Sequence, residues 1–399
     1  MTTTTSRSPI LSRALLLRFV SIVAGSIGFY LPLAVIPMFA DAAGSRTAAG
    51  LANGALLLAT VAGELATPRL VGRVGYRWAL AAGLILLGAP TLVLLGCSSF
   101  PVIVVVNAMR GVGFAVTVVA GGALTAALIP DERRGEGLAI VGLVGGIPSL
   151  IALPFGTCAA GRWGFDLVFV LTAAAPLAAV ATVPGLPRRE ASAEPQHGVV
   201  QGLRNGAIVR PATIFAASAA AAGVVVTYLP LAVAAHAAWM ALLLQPAAAT
   251  AGRWVAGRLG DRRGQVRLLV PGVALSIIGI TAIAVTPSTT LVIAGAVAFG
   301  AGFGVLQNAT LSLMYAHVPA AGYGAVSAVW NAGYDAGMAA GAIGVGLLVT
   351  TTGFSAAFLI TAAAMLPALV MARRAAAPRI GPATGRRTGP ARRARACLS

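Results

Sequence analysis

Long apolar runs recur along this chain, and each is long enough to cross a lipid bilayer. A membrane-spanning helix needs about 20 mostly apolar residues, and such runs recur from residue 14 to residue 372. Only 10% of the 399 residues are charged, too few to cover a water-soluble surface. The runs are continuous rather than alternating, which disfavours a β-barrel. Helices satisfy every backbone polar group internally, so the sequence predicts an all-α membrane protein.

Turns and arginines divide the apolar runs into twelve predicted transmembrane helices. They are expected near residues 14–39, 47–67, 78–97, 101–128, 138–160, 164–183, 211–234, 236–257, 268–286, 290–316, 324–349 and 354–372. The predicted order is a cytoplasmic N-terminus, a six-helix bundle, a polar linker, a second six-helix bundle and a disordered basic tail. Their ranges are 1–13, 14–183, 184–210, 211–372 and 373–399.

The basic residues predict which side of the membrane each loop faces. All 28 are arginines, and they give the chain a net charge of +18. They concentrate in alternate loops, the linker and the tail, whereas the other loops hold only Arg46 and Arg162. Arginine-rich loops stay in the cytoplasm, so both termini and the linker are expected there, in a multi-pass protein of the bacterial inner membrane. The positive charge has this topological explanation, and no nucleic-acid partner is expected.

The two predicted bundles repeat one another in sequence. The stretch "YLPLAV" occurs at Tyr30–Val35 and again at Tyr228–Val233. Further along the chain, "RLVGRVG" (Arg69–Gly75) corresponds to "RLGDRRG" (Arg258–Gly264) at an offset of 189 residues. The same offset places "GVGFAV" on "GAGFGV" and "GFDLVFVLTAAA" on "GFSAAFLITAAA". The sequence therefore predicts two six-helix repeats.

Two six-helix repeats joined by a cytoplasmic linker resemble the major facilitator superfamily of secondary transporters. The loop "GRLGDRRGQVR" is similar to the superfamily's signature between paired helices through Gly257, Leu259, Asp261, Arg262 and Gly264. The first-half copy keeps Leu70, Arg73, Gly75 and Arg77, but has Pro68 and Gly72 where a glycine and an aspartate are usual. The resemblance implies a transporter that works by alternating access as a monomer, with protein–lipid contacts all round and no cofactor, metal site or catalytic residue. It also implies that these loops act as gates.

In this superfamily the first, fourth, seventh and tenth helices line the substrate cavity. Carried over to this chain, that implies a cavity for a small molecule lined by Tyr30, Arg110, Tyr228, Gln307 and Asn308. Arg110 lies in "RGVGFA", which resembles the superfamily's arginine-bearing fourth helix. Asn331 is a further candidate because its counterpart in the repeat is a glycine. An apolar cavity with one arginine suits a lipophilic or weakly anionic compound.

Two carboxylates break the repeat at membrane depth and are candidates for proton handling. Asp335 corresponds to Gly146 in the first half, and Glu64 corresponds to Arg253 in the second. An ionisable group inside a membrane is costly, so it is usually paired, hydrated or functional. Asp335 and Arg110 both lie near the bilayer midplane by residue count, so the alternative roles for Asp335 are a fixed ion pair or part of a hydrated pocket wall.

The eleventh predicted helix also carries a face of small residues. Gly333, Gly337 and Gly341 recur at four-residue spacing, a pattern that favours close packing between membrane helices.

The direction of transport is predicted from the fifth helix. Its segment "GLVGGIPSLIALPFGTC" resembles those of bacterial multidrug and metabolite exporters, although Leu153 replaces the glycine before Pro154. Proton-coupled efflux by antiport is therefore expected, with proton-coupled import of a nutrient as the alternative. A membrane enzyme would need a cluster of catalytic side chains, which the 10 acidic residues do not form. A transport-dead, receptor-like protein is the last alternative, because the turn between helices seven and eight is short.

Overall fold

The computed structural model describes residues 12–44, 46–129, 134–187, 206–318 and 323–376, and these are almost entirely helical. The α-helices are α1 Arg13–Tyr30, α2 Val35–Ala42, α3 Arg46–Gly88, α4 Phe100–Leu128, α5 Arg134–Trp163, α6 Phe165–Val180, α7 Gly206–Ala232, α8 Ala235–Arg263, α9 Val266–Ile283, α10 Thr289–Tyr315, α11 Tyr323–Ala364 and α12 Leu366–Ala376. Two short 3-10 helices follow α3 and α6, at Ala89–Leu95 and Val183–Gly185. Most of the predicted N-terminus, linker and tail (1–11, 188–205 and 377–399) lies outside the described residues.

Within the described ranges, nine helical stretches are long and apolar enough to cross a membrane. Two of them, Ala48–Leu95 and Val326–Ala376, are 48 and 51 residues long. At 1.5 Å per residue such a stretch measures about 70 Å, more than twice the ~30 Å of a bilayer's hydrocarbon core. The sequence analysis predicts two helices within each of these stretches.

Glycines with positive φ interrupt the helices at matched places in the two halves. Gly75 inside α3 and Gly264 after α8 have φ of 78° and 86°, and Gly164 before α6 and Gly353 inside α11 have 90° and 76°. Both pairs are separated by the 189 residues of the sequence repeat. A side chain with a Cβ rarely adopts this conformation, so glycine is required where the chain changes direction between helices.

Helix contacts also match between the halves. A Cβ on Gly111 of α4 would collide with the backbone of Leu56 on α3. A Cβ on Gly300 of α10 would collide with the backbone of Gln245 on α8. Each residue of the second contact lies 189 positions after its counterpart in the first. The close approach that glycine allows is therefore the same in α3–α4 and α8–α10.

The two copies of "YLPLAV" differ in local structure. The first ends α1 at Tyr30 and starts α2 at Val35, so the helix predicted over 14–39 is broken. The second stays helical to Ala232. Pro37, four residues after Leu33, has no N–H to give the carbonyl of Leu33, and Asn53 on α3 donates to that carbonyl from its Nδ2 at 3.0 Å instead.

The segments before and after the linker, α1–α6 and α7–α12, meet along two seams. Helix α3 packs on α11 along one, and α5 packs on α8 along the other. By the 189-residue repeat, the α3–α11 seam corresponds to the α8–α5 seam. A cavity lies between these halves.

Candidate substrate cavity and family

The cavity has a volume of about 310 Å³ and takes its walls from both halves. Helices α1 and α5 contribute from the first half, and α7, α8, α10 and α11 from the second. Apolar side chains of α5 form one wall, including Ile147 and Leu150. The polar side chains that line it are Tyr30, Gln245, Thr250, Arg253, Gln307 and Tyr334. Most ligand cavities are apolar with a few polar groups, and this one has that character.

Two of the six residues predicted for the cavity, Tyr30 and Gln307, are among those that line it. Both are partly buried. Asn308, next to Gln307, turns toward α8, where its Nδ2 lies 3.7 Å from the position that a Cβ on Gly257 would occupy. Its Oδ1 is buried without a hydrogen-bond partner in the described part of the chain. Asn331 is half-buried on α11, one turn before Asp335.

Arg110 lies inside the first half and is fully buried. Its Nη1 donates to Asn107 Oδ1 at 2.6 Å, and its Nη2 donates to the carbonyl of Gly28 on α1 at 3.0 Å. Gly28 is four residues before Pro32, which has no N–H to donate to that carbonyl. Arg110 therefore occupies a backbone acceptor that the proline leaves open. The ion pair with Asp335, considered as an alternative from the sequence, is absent from these contacts.

Tyr228 is also fully buried, away from the lining of this cavity. Its hydroxyl donates to the carbonyl of Ala342 on α11 at 2.7 Å, and Gly50 of α3 packs against the same hydroxyl. The matched tyrosines thus have different surroundings, since Tyr30 lines the cavity and Tyr228 joins α7 to the α3–α11 seam.

Asp335 and Glu64 both lie along the α3–α11 seam. Gly54 of α3 packs against Ile343 of α11. Glu64 lies ten residues further along α3 and Asp335 eight residues back along α11, which is about 15 Å and 12 Å from that contact. The two carboxyls are within electrostatic range of each other. Asp335 is 7% exposed, and Glu64 is half-buried.

Two tyrosines lie between Asp335 and Arg253 in electrostatic terms. The phenols of Tyr30 and Tyr334 lie within electrostatic range of Asp335 on one side and of Arg253 on the other. Arg253 on α8 is the repeat counterpart of Glu64, and Gly146, which also lines the cavity, is the counterpart of Asp335. One seam therefore carries two acidic groups, and the other carries an arginine opposite a glycine.

The first predicted gating loop lies around Gly75, inside α3, and the second lies around Gly264, directly after α8. Gly75 and Gly264 adopt the positive φ already described, whereas Leu70 and Gly257 are half-buried and Arg73 and Arg262 are exposed. Arg77 Nη2 donates to the carbonyl of Pro184 at 2.6 Å, which connects the first loop to the 3-10 helix that follows α6. The side chain of Asp261 lies outside the described residues.

Sequence reasoning assigned no role to several residues of this region. Gln245, Phe303 and Tyr334 line the cavity without having been candidates, and Arg253 was noted only as the counterpart of Glu64. The repeat offers the missing signal for Gln245 and Tyr334, since their counterparts are Leu56 and Gly145. Phe303 gives no such signal because its counterpart is also a phenylalanine.

A second buried arginine, Arg18 on α1, was also missed. Its Nε donates to the carbonyl of Gly121 at 3.1 Å and to Thr125 Oγ1 at 3.0 Å, and its Nη1 donates to Ser21 Oγ at 2.7 Å. These bonds join α1 to α4. In the part of the chain that the structure describes, no three His, Cys, Asp or Glu side chains are grouped so as to hold a metal ion.

The Major Facilitator Superfamily model matches residues 18–326 and 234–396, which together cover most of the chain. The chain belongs to the major facilitator superfamily. It is therefore a multi-pass membrane protein, and membership points to a transporter of small molecules and not to an enzyme.

Solved structures of superfamily transporters share this fold. A mutant of the nucleoside transporter NupG matches with a TM-score of 0.78 at 14% identity, covering 91% of this chain and 99% of its own. A bacterial homologue of the human lysosomal transporter Spinster, inward-facing and occupied, matches with 0.77 at 14% identity, covering 93% and 98%. The xylose transporter XylE from E. coli, partially occluded and inward open, matches with 0.68 at 14% identity, covering 91% and 98%.

Proposed function

We propose that this protein is a proton-coupled secondary transporter that exports a small drug-like or metabolite compound across the cytoplasmic membrane. The observation that carries the proposal is that Glu64 on α3 and Asp335 on α11 lie within electrostatic range of each other along the seam between the halves, with Asp335 next in sequence to the cavity-lining Tyr334. One carboxyl belongs to each half, so a motion of the halves changes the distance between them. Protonation and alternating access are then linked through one pair of groups.

The chemistry of the pair supports proton binding. Two neighbouring carboxylates in a low dielectric repel strongly when both are ionised. Burial also favours the neutral form of a carboxyl group. A single proton on the pair removes the repulsion, and its release restores a force that separates α3 from α11. Because Arg110 is bonded to Asn107 and Gly28, it is not available to neutralise Asp335 in this conformation.

The proposal includes the topology predicted from the sequence. Counting each of the two long stretches as two crossings, and adding α8, raises the nine candidate spans to twelve. The matched glycine turns and helix contacts support two six-helix repeats. Both termini and the linker are then cytoplasmic, the protein works as a monomer, and the loops around Gly75 and Gly264 open and close with the cavity.

Export is the preferred direction because of α5. The segment that resembles exporters supplies a large part of the cavity wall, through Leu143, Ile147 and Leu150 among others. The substrate therefore contacts the helix that carries the exporter-like pattern. Import remains the second candidate and predicts the opposite movement of the same compound.

Expression in an exporter-deficient bacterium tests the proposal. Cells are challenged with ethidium, chloramphenicol and 2-naphthoate, each with and without a protonophore. Protection that the protonophore abolishes is expected for the wild type, and cellular accumulation of a probe would instead identify an importer.

Asp335→Asn is expected to abolish the protonophore-sensitive flux while the protein still reaches the membrane. The matched control is Asp166→Asn, at an exposed carboxyl in the first turn of α6. Unchanged proton-driven flux in Asp335→Asn would refute the role of Asp335.

A further inference from the structure

We infer that the substrate cavity selects a flat aromatic compound that carries one negative charge, such as an aromatic carboxylate, and that Arg253 is the residue that recognises the charge. This inference rests on the proposed function, since it names the class of compound that the same cavity takes. Arg253 thereby takes the role of cavity arginine, which the sequence predicted for Arg110.

The described lining of the cavity carries one charged side chain. Of the described residues that line the cavity, Arg253 is the charged one, and its side chain is exposed to the cavity. Asp335 lies behind the lining, 7% exposed, on the opposite seam. The repeat places Arg253 opposite Gly146, so α5 brings no counter-charge at the corresponding position. An arginine in a small apolar cavity favours an anionic ligand, because its planar fork of donors matches a carboxylate.

Aromatic side chains line the cavity from both halves. Phe303 and Tyr334 line the cavity from the second half, with their ring centroids 6.2 Å apart. Tyr334 is the cavity-lining member of a cluster of nearly parallel rings, because the plane of its ring is inclined by 9° to that of Trp330 and by 14° to that of Phe215. Tyr30 faces the cavity from the first half. Aromatic walls on both sides suit a flat ring, because offset stacking and edge-to-face contacts add to the burial of apolar area.

The other polar groups of the cavity and the volume of the cavity restrict the class of compound that it can hold. Gln245 and Gln307 line the cavity with amide groups that can both donate and accept hydrogen bonds. A volume of about 310 Å³ is at the lower end of the ~300–1,000 Å³ range of small-molecule sites. A one- or two-ring compound with a polar substituent therefore fits better than a large amphipathic drug.

Binding to the purified full-length protein in lipid nanodiscs tests the inference. The probes are 2-naphthoate, its neutral analogue 2-naphthamide, the cationic 2-naphthylmethylamine, and the non-aromatic anion cyclohexanecarboxylate, with empty nanodiscs as the blank. The wild type is expected to bind 2-naphthoate at least tenfold more tightly than the amide and the amine, because a charge-assisted hydrogen bond exceeds a neutral one. It is expected to bind 2-naphthoate more tightly than cyclohexanecarboxylate as well, because only the aromatic ring stacks on the aromatic walls. Equal affinity for acid and amide, or tighter binding of the amine, would overturn the inference.

Variants assign the charge recognition to one residue. Arg253→Gln is expected to weaken 2-naphthoate binding about tenfold or more and to leave 2-naphthamide within about threefold. Arg253→Lys keeps the positive charge and is expected to recover part of the selectivity, which separates recognition from a folding defect. Arg258→Gln is the matched control, because Arg258 lies over the ring of Trp254 at 3.8 Å, on exposed surface. Loss of acid-over-amide selectivity in Arg258→Gln, or its retention in Arg253→Gln, would refute the assignment.

The binding assay also separates this inference from the proposed function. It requires neither a proton gradient nor a direction of transport. Selective binding of 2-naphthoate without proton-driven movement would support the inference and refute the proposed coupling. Proton-driven export of another probe without selective 2-naphthoate binding would refute the inference and leave the proposed function standing.

Discussion

Asn53 on α3 donates a hydrogen bond from its Nδ2 to the Oγ1 of Thr227 on α7 at 2.9 Å, and the two residues belong to opposite halves. Both side chains are 1% exposed. The same amide nitrogen also donates to the carbonyl of Leu33, in the break between α1 and α2. Asn53 therefore joins α3, α7 and the turn between α1 and α2. These three segments come together at one end of the α3–α11 seam, the end away from the predicted cytoplasmic loops.

The first prediction is that Thr227→Val opens this end of the protein. The valine keeps the shape of threonine but removes the acceptor, which leaves a buried amide partly unpaired at a cost of about 1–3 kcal/mol. The matched control Thr227→Ser keeps the hydroxyl and is expected to behave like the wild type. Spin labels at Ala42 and Ala234, both exposed, report the opening by electron paramagnetic resonance. The Val variant is expected to shift their distance distribution to longer values, and an unchanged distribution would contradict this role.

The second prediction concerns the bond between Arg110 and the carbonyl of Gly28. Arg110→Met is expected to lower the free energy of unfolding by about 1–3 kcal/mol, since it leaves a buried acceptor unpaired. Pro32→Ala supplies the missing backbone N–H and is expected to reduce that loss. A double-mutant cycle in detergent micelles measures the coupling between the two sites. Additive effects of the two changes would show that Arg110 does not act on the acceptor that Pro32 leaves open.

This bond illustrates what the sequence alone predicts and what it does not. From the sequence, Pro32 predicts that the carbonyl four residues earlier lacks a helical partner. Arg110 is likewise identified from the sequence as a charge at membrane depth. That the two meet depends on how α4 packs against α1, and the sequence pattern carries no such distance. Arg110 was for this reason assigned to the cavity, where the structure places Arg253.

The two tyrosines of "YLPLAV" show a second limit. The identical sequence predicts equivalent roles for Tyr30 and Tyr228. The copies differ in structure, however, because Pro37 follows the first copy and leaves the carbonyl of Leu33 to Asn53, whereas the second copy has Ala235 at that place. The turn glycines are a contrasting case, because Gly75 and Gly264 both fall between predicted helices and both adopt positive φ. Positive φ is a local requirement that few residues besides glycine meet, so Gly75 and Gly264 could be identified without knowledge of the packing.

The third prediction tests the small-residue face of α11. A Cβ on Gly341 would collide with the carbonyl of Ala220 on α7, whereas a Cβ on Gly333 would lie 3.7 Å from the carbonyl of Ala212, an ordinary contact. Gly341→Ala is expected to destabilise the protein by about 1–3 kcal/mol through overpacking. Gly333→Ala is expected to be neutral or to stabilise by up to about 1 kcal/mol, because alanine has the higher helix propensity. Thermal unfolding in detergent compares the stability of the two variants with that of the wild type. Equal effects of the two substitutions would contradict the packing argument.

The last prediction tests the two seams directly through the charged residues and their repeat counterparts. Cysteines are introduced in pairs into a cysteine-free background, either Glu64→Cys with Asp335→Cys or Arg253→Cys with Gly146→Cys. Each pair joins the two halves across one seam, so a flexible bis-methanethiosulfonate reagent is expected to cross-link both. The control pair, Glu64→Cys with Gly146→Cys, lies on different seams and is expected to react far more slowly. Proteolysis within the linker, followed by electrophoresis, detects the link because cross-linked halves stay together. A cross-link in the second pair alone would separate Glu64 from Asp335 and remove the basis for proton sharing between them.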